Sequence, residues 1–117
     1  MQGRRIDRIE EQLRIEVSEI LERELHDPRA RSATVTGVKV SPDLRHARIF
    51  VSVLGGEDER RKALQGLRSA AGFVRKSLGK RLQHMKRIPE IVFDYDESIE
   101  KGLRIEELLQ QIRTEEK

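Results

Sequence analysis

Residues 57–82, EDERRKALQGLRSAAGFVRKSLGKRL, decide how the chain is arranged around them. Glu57, Asp58 and Glu59 suit a helix start, where the positive end of the helix dipole favours acidic side chains. Ala63, Leu64 and Leu67 then recur at helical spacing, with Gly66 weakening the segment slightly. Ser69-Ala70-Ala71-Gly72 is a run of small residues, and beyond it Val74, Leu78 and Leu82 resume an apolar stripe in a new phase. The spacing predicts a helix to about Ala70, a kink at Ala70–Gly72, and a second helix to about Leu82.

Upstream, residues 4–25 predict an amphipathic helix. Ile6, Ile9, Leu13, Val17, Ile20 and Leu21 fall three and four apart, with Ile15 on the opposite face. Glu10–Arg14 and Glu19–Arg23 are spaced to support the helix, whereas Arg4 and Arg8 repel. Asp27-Pro28 ends it, because a residue before proline avoids helical angles. Residues 33–40, ATVTGVKV, and 45–54 predict two strands joined by the Ser41-Pro42-Asp43 turn, an antiparallel hairpin. Downstream, Ile91, Phe93 and Tyr95 alternate in a third strand after Pro89. A last helix is expected from Ser98, with Ile99, Leu103, Leu108, Leu109 and Ile112 apolar and residues 113–117 frayed. The order is α-β-β-α-kink-α-β-α. An α+β domain with a three-stranded sheet packed by helices is the natural way to bury these faces.

Composition fits one domain over residues 1–117 with an aliphatic core. There is no Trp, and the aromatic residues are Phe50, Phe73, Phe93 and Tyr95. That scarcity argues against RNA modules that read bases on aromatic platforms. With no cysteine, disulfides and Cys-based zinc sites are excluded. The chain is charged from Arg4 onward and has no long apolar run, so neither a signal peptide nor a membrane span is expected, and the default location is the cytoplasm.

The net charge of +3 hides a segregation. Residues 60–87 contain Arg60, Arg61, Lys62, Arg68, Arg75, Lys76, Lys80, Arg81, Lys86 and Arg87, and no acidic residue. A merely solvated helix face normally mixes both signs, so a polyanion is the expected partner, bound with strong salt dependence. Arg75, Lys76, Lys80 and Arg81 lie off the Val74–Leu78–Leu82 stripe and are the expected phosphate contacts; Arg68, Lys86, Arg87, Arg45, Arg48, Arg4 and Arg5 are secondary candidates. Reversing Lys80 and Arg81 to Glu is expected to abolish binding and spare folding. The small residues Ala70, Ala71 and Gly72 serve either close helix packing or the approach of a phosphate to exposed amides.

Other chemistries find no support. His26, His46 and His84 lack metal-ligand spacing, so no metal or cofactor is expected. Gly79-Lys80 is not a phosphate loop, since Val74 stands where that motif needs glycine. No nucleophile–base pair can be drawn, which leaves an enzyme the least favoured class. A DNA-binding helix–turn–helix module and a protein-interaction domain remain alternatives, and a membrane-surface helix is weaker because its apolar stripe is needed for the core.

Asp27-Pro28-Arg29, Val40-Ser41-Pro42-Asp43-Leu44 with Ala47, and Ala71-Gly72-Phe73-Val74-Arg75 follow one another along the chain. Pro89-Glu90-Ile91 with Phe93, Asp96-Glu97-Ser98-Ile99, Gly102, Arg104-Ile105 and Leu108-Leu109 continue the series. Together, in this order and spacing, these segments carry a resemblance to the ribosome-binding factor A family over nearly the whole chain. It implies a type II KH-like fold, with an Ala-centred kink where other KH domains carry a GxxG loop. It further implies a monomeric assembly factor that binds the immature small ribosomal subunit late in maturation, near the 5′-terminal helix of its RNA. Such a factor leaves on maturation, matters most in the cold, and needs no small-molecule substrate or membrane. His84 stands where the family's pattern leads one to expect another cation.

Overall fold

Helix α1, Gln2–Arg23, forms where the apolar stripe predicts it, in a computed structural model that describes residues 2–98 and 108–112. Leu13, Val17 and Ile20 are fully buried, Ile6, Ile9 and Leu21 pack partly, and Ile15 is exposed on the far face. The expected pairs along the helix are replaced by others. Arg14 pairs with Glu11, and a Glu10 carboxylate oxygen accepts the Val40 amide at 2.8 Å, tying α1 to the sheet. Glu19 instead reaches a helix far along the chain. Tertiary partners therefore outweigh the few tenths of a kcal/mol, roughly, that an i,i+4 pair supplies.

Asp27 opens a 3-10 turn, Pro28–Ala30, accepting the Arg29 amide at 2.9 Å. Strands β1 (Ala33–Val40) and β2 (His46–Val53) pair antiparallel as predicted, in register Val40↔Ala47 to Ala33↔Val53. A bulge between Val35 and Gly37 lets Val35, Val38 and Val40 share the inner face, against Val51, Ile49 and Ala47. Strand β3 (Glu90–Tyr95) lies beside β2 and runs parallel to it, from His46↔Glu90 to Val51↔Tyr95. Sequence spacing does not fix that direction. A parallel neighbour requires a crossover, and helices α2 (Glu57–Ser69) and α3 (Ala71–Arg81) supply it.

The helices cover one face of the sheet. Leu13, Val17, Leu67, Val74 and Leu78 meet Ile49, Val51, Ile91 and Phe93 in one core, while Lys39, Arg48 and Val92 look outward. With this order and the parallel β2–β3 pair, the fold is the type II KH-like arrangement expected above. The kink falls where predicted. Ala70 alone separates α2 from α3, at φ −90° and ψ 0°. Its amide donates to the Gly66 and Leu67 carbonyls at 3.1 and 3.0 Å, and its carbonyl accepts the Val74 amide at 2.9 Å. The expected C-terminal helix falls largely outside the described residues. Residues 108–112 are helical, with Leu108, Leu109 and Ile112 exposed; residues 113–117 lie outside the description.

Candidate nucleic-acid interface

The acid-free stretch does not act as one patch. Arg81 is the clearest departure from expectation. Its guanidinium donates to Glu16 at 2.9 Å, Glu19 at 2.7 Å and Glu24 at 2.9 Å, all on α1 or just after it. These three carboxylates hold its pKa above the ordinary arginine value. The Ser77 hydroxyl joins the cluster through Glu24 at 3.3 Å. Arg81 therefore clamps α3 to α1, and its charge is spent inside the fold. These partners weigh against the expectation that Arg81 contacts phosphate and against the expectation that its reversal spares folding.

Others of the ten are partly committed. Arg68 reaches round the free edge of β3 to the Phe93 carbonyl and the Asp94 carboxylate, both at 3.2 Å. Arg48, on the open face of the sheet, shares Asp94 at 2.9 Å. Asp94 so dilutes the positive charge of both. Arg60 lies 3.8 Å from the centre of the Tyr95 ring, and Arg61 pairs loosely with Asp58 at 3.3 Å. Arg75 donates to the Ile88 carbonyl at 3.1 Å, a neutral acceptor that fixes the side chain and leaves its charge intact. Lys62, Lys76, Lys80, Lys86 and Arg87 are exposed and form no ion pair among the described residues.

Arginines and lysines without ion pairs among the described residues also line a groove of about 800 Å³ between the start of α1, the β1–β2 turn and the α3–β3 loop. Arg4, Arg5 and Arg8 of α1 line one side, and His84, Lys86 and Arg87 the other. Ile9, Leu44 and Met85 supply apolar surface, and Arg45, exposed, follows Leu44 at the turn. The acid in the lining, Asp43, is occupied: it accepts the Ser41 hydroxyl at 2.6 Å and the Arg45 amide at 3.1 Å, and the hydroxyl above all holds its carboxyl below the usual aspartate pKa.

Physical chemistry makes this arrangement unfavourable for the isolated protein. The first turn of α1 carries no acidic residue, and arginines stand at the positive end of its dipole. Arg4 and Arg8, one turn apart, repel. An anion in the groove relieves both effects. Arg4, Arg5, Lys86 and Arg87, candidates far apart in the sequence, are thus brought together. Arg8 escapes sequence reasoning because it reads as one more solvated charge on the first helix; its one-turn spacing from Arg4 was the available signal. The kink residues lie apart, at the other end of α3. Gly72 is exposed, and apart from its chain neighbours and its own helix backbone no atom lies within 4 Å of where its Cβ would be, so the backbone there is open to approach. Among the described residues no group of three His, Cys, Asp or Glu could hold a metal ion, and no helix is long and apolar enough to cross a membrane.

Known proteins share both sequence and architecture with the chain. A relative from Natranaerobius thermophilus, named ribosome-binding factor A, is 47% identical over 112 residues, covering 96% of this chain and 85% of the relative. The crystal structure of ribosome-binding factor A from Thermus thermophilus superposes with a TM-score of 0.69 at 28% identity, over 77% of this chain and 93% of that one. A Thermus thermophilus ribosome binding factor A homology structure, fitted into the cryo-EM map of a 30S complex of that protein, gives 0.62 at 27% identity, over 75% and 91%. The sequence profile described as ribosome-binding factor A matches residues 5–109, which takes in the hairpin, the kinked helix pair and the whole groove lining except Arg4. By sequence and by fold, the chain belongs to the ribosome-binding factor A family.

Proposed function

We propose that the protein works as a single KH-like unit over residues 1–117 that docks on RNA of the immature small ribosomal subunit and assists late maturation by binding, not by catalysis. The observation that carries this is the groove in which Arg4, Arg5 and Arg8 face Lys86 and Arg87 with the nearby acid tied up in a turn. Polyanion binding there is driven by counterion release. Arg75, Lys76 and Lys80 extend the cationic surface along α3, Arg45 extends it at the turn, and the open backbone at Gly72 permits a phosphate to come close. The 30S complex of the Thermus relative supports the choice of partner, and the family resemblance supports a docking point near the 5′-terminal helix of the RNA.

The test is co-sedimentation with small subunits. Lys86→Glu with Arg87→Glu changes two exposed side chains and is expected to weaken association by more than about tenfold at moderate salt, with the circular dichroism spectrum unchanged. Undiminished co-sedimentation of the folded variant would reject the interface.

A further inference from the structure

We propose that the groove holds an unpaired RNA base, so that the protein selects single-stranded RNA over duplex at this point. The proposal rests on the RNA-docking reading above and adds the class of RNA. Its first support is the floor. A surface built for phosphates alone needs only the rim of cations, yet Ile9, Leu44 and Met85 place apolar surface inside it. In an A-form duplex the base faces are stacked away, and an apolar floor finds nothing to cover. An unstacked base offers two apolar faces beside the phosphates that the rim attracts.

The second support is the backbone at Leu44. Its φ is +62°, the one positive value at a non-glycine residue among the described residues. The turn is closed by the Leu44 amide donating to the Ser41 carbonyl at 2.8 Å. Glycine or asparagine occupies this conformation with less strain. Leucine is accounted for by its side chain, half-buried against the core and lining the groove with Ile9 and Met85.

The third support is chemical. Aromatic platforms are scarce in this protein and none lines the groove, but a guanidinium plane stacks on a base and a thioether sulfur contacts a ring edge favourably. Arg4, Arg5, Arg8 and Met85 supply both. The site is separate from the kink, which lies at the far end of the eleven-residue α3, about 16 Å away along the helix axis.

The probe is a ten-nucleotide single-stranded RNA carrying one 2-aminopurine, compared with the same strand annealed to its complement. The single strand is expected to bind at least about tenfold more tightly than the duplex, with its 2-aminopurine protected from acrylamide quenching. Leu44→Asn keeps a residue that tolerates positive φ and removes the apolar floor; Met85→Gln does so from the other element. Each is expected to abolish the protection and erase the single-strand preference, while residual binding matches that of the duplex. Equal affinity for both RNAs, or a 2-aminopurine that stays fully quenchable, overturns the base site and leaves phosphate docking standing. Dimerisation through the groove at the expense of RNA binding also overturns it. No binding of either RNA at low salt overturns this inference and the docking reading together.

Discussion

Lys80 is exposed and free of ion pairs among the described residues, while Arg81, the next residue, is about three-quarters buried against three carboxylates. The difference sets what each substitution does. Arg81→Met keeps most of the apolar stem but leaves Glu16, Glu19 and Glu24 facing one another without a cation. With the pair partly screened, a loss of about 1–2 kcal/mol is expected; Arg81→Glu adds a fourth negative charge and is expected to cost about 2–4 kcal/mol. Urea unfolding midpoints measure both, and Lys80→Met should fall within about 0.5 kcal/mol of the parent. An unchanged midpoint for Arg81→Glu would show that the cluster does not hold α3 on α1. Sequence alone could not separate these neighbours. Both lie off the Val74–Leu78–Leu82 stripe, and the carboxylates that capture Arg81 are 57 to 65 residues away in the chain. Arg68 and Arg48 converge on Asp94 for the same reason: ion pairing follows the fold, and only afterwards can a cation be said to be free.

At the level of elements, two glycines in the kinked pair have different causes. In α2, a Cβ on Gly66 would sit 3.1 Å from Arg29 Cβ and 3.3 Å from the Asp27 carboxylate, so the glycine makes room for the Pro28–Ala30 turn. Arg29 is clamped there by Asp27 at 2.7 Å, a contact that also holds the Asp27 carboxyl below its usual pKa. In α3, Gly72 faces open space. Gly66→Ala gains helix propensity of about 1 kcal/mol but forces the turn aside at about 1–3 kcal/mol, so a net loss is expected. Gly72→Ala should instead raise stability by about 0.5–1 kcal/mol and weaken RNA binding, because a methyl group intrudes where the backbone is approached. Thermal unfolding with a binding titration checks the pair; a stabilised Gly66→Ala would contradict the packing account. Helices α1, α2 and α3, the hairpin and the kink are legible in the sequence because each is written in local spacing: the acidic start at Glu57–Glu59, the small run at Ser69–Gly72, the turn at Ser41–Asp43. The parallel placement of β3 was not, since alternation in Ile91–Tyr95 records which face is buried and nothing about the neighbour or its direction.

Across the whole molecule, the decisive feature is that folding sorts the cations into spent and available sets. The chain's +3 is nearly balanced, and a uniform mixture of charges would attract RNA weakly. Instead Arg81 is neutralised by α1 and Glu24, Arg48 and Arg68 share Asp94, and five arginines and lysines without ion pairs among the described residues line the groove, with Arg75, Lys76 and Lys80 exposed along α3. Three of the five arginines and lysines that line the groove come from residues 4–8, outside the basic stretch 60–87, because a site assembled from segments far apart in the chain has no local signature. The sorting can be read from the salt dependence of binding to small-subunit RNA. Each phosphate contact contributes about 0.7–0.9 to the slope of log affinity against log salt concentration. Arg87→Ala and Arg5→Ala are each expected to lower the slope by roughly that amount, and the two together by about twice as much. Arg81→Met, although it removes a charge from the middle of the same basic stretch, is expected to leave the slope unchanged under conditions where the variant stays folded. If Arg81→Met lowered the slope as Arg87→Ala does, its guanidinium would have to leave three carboxylates to meet the RNA, and the division of the cations would belong to the free protein alone.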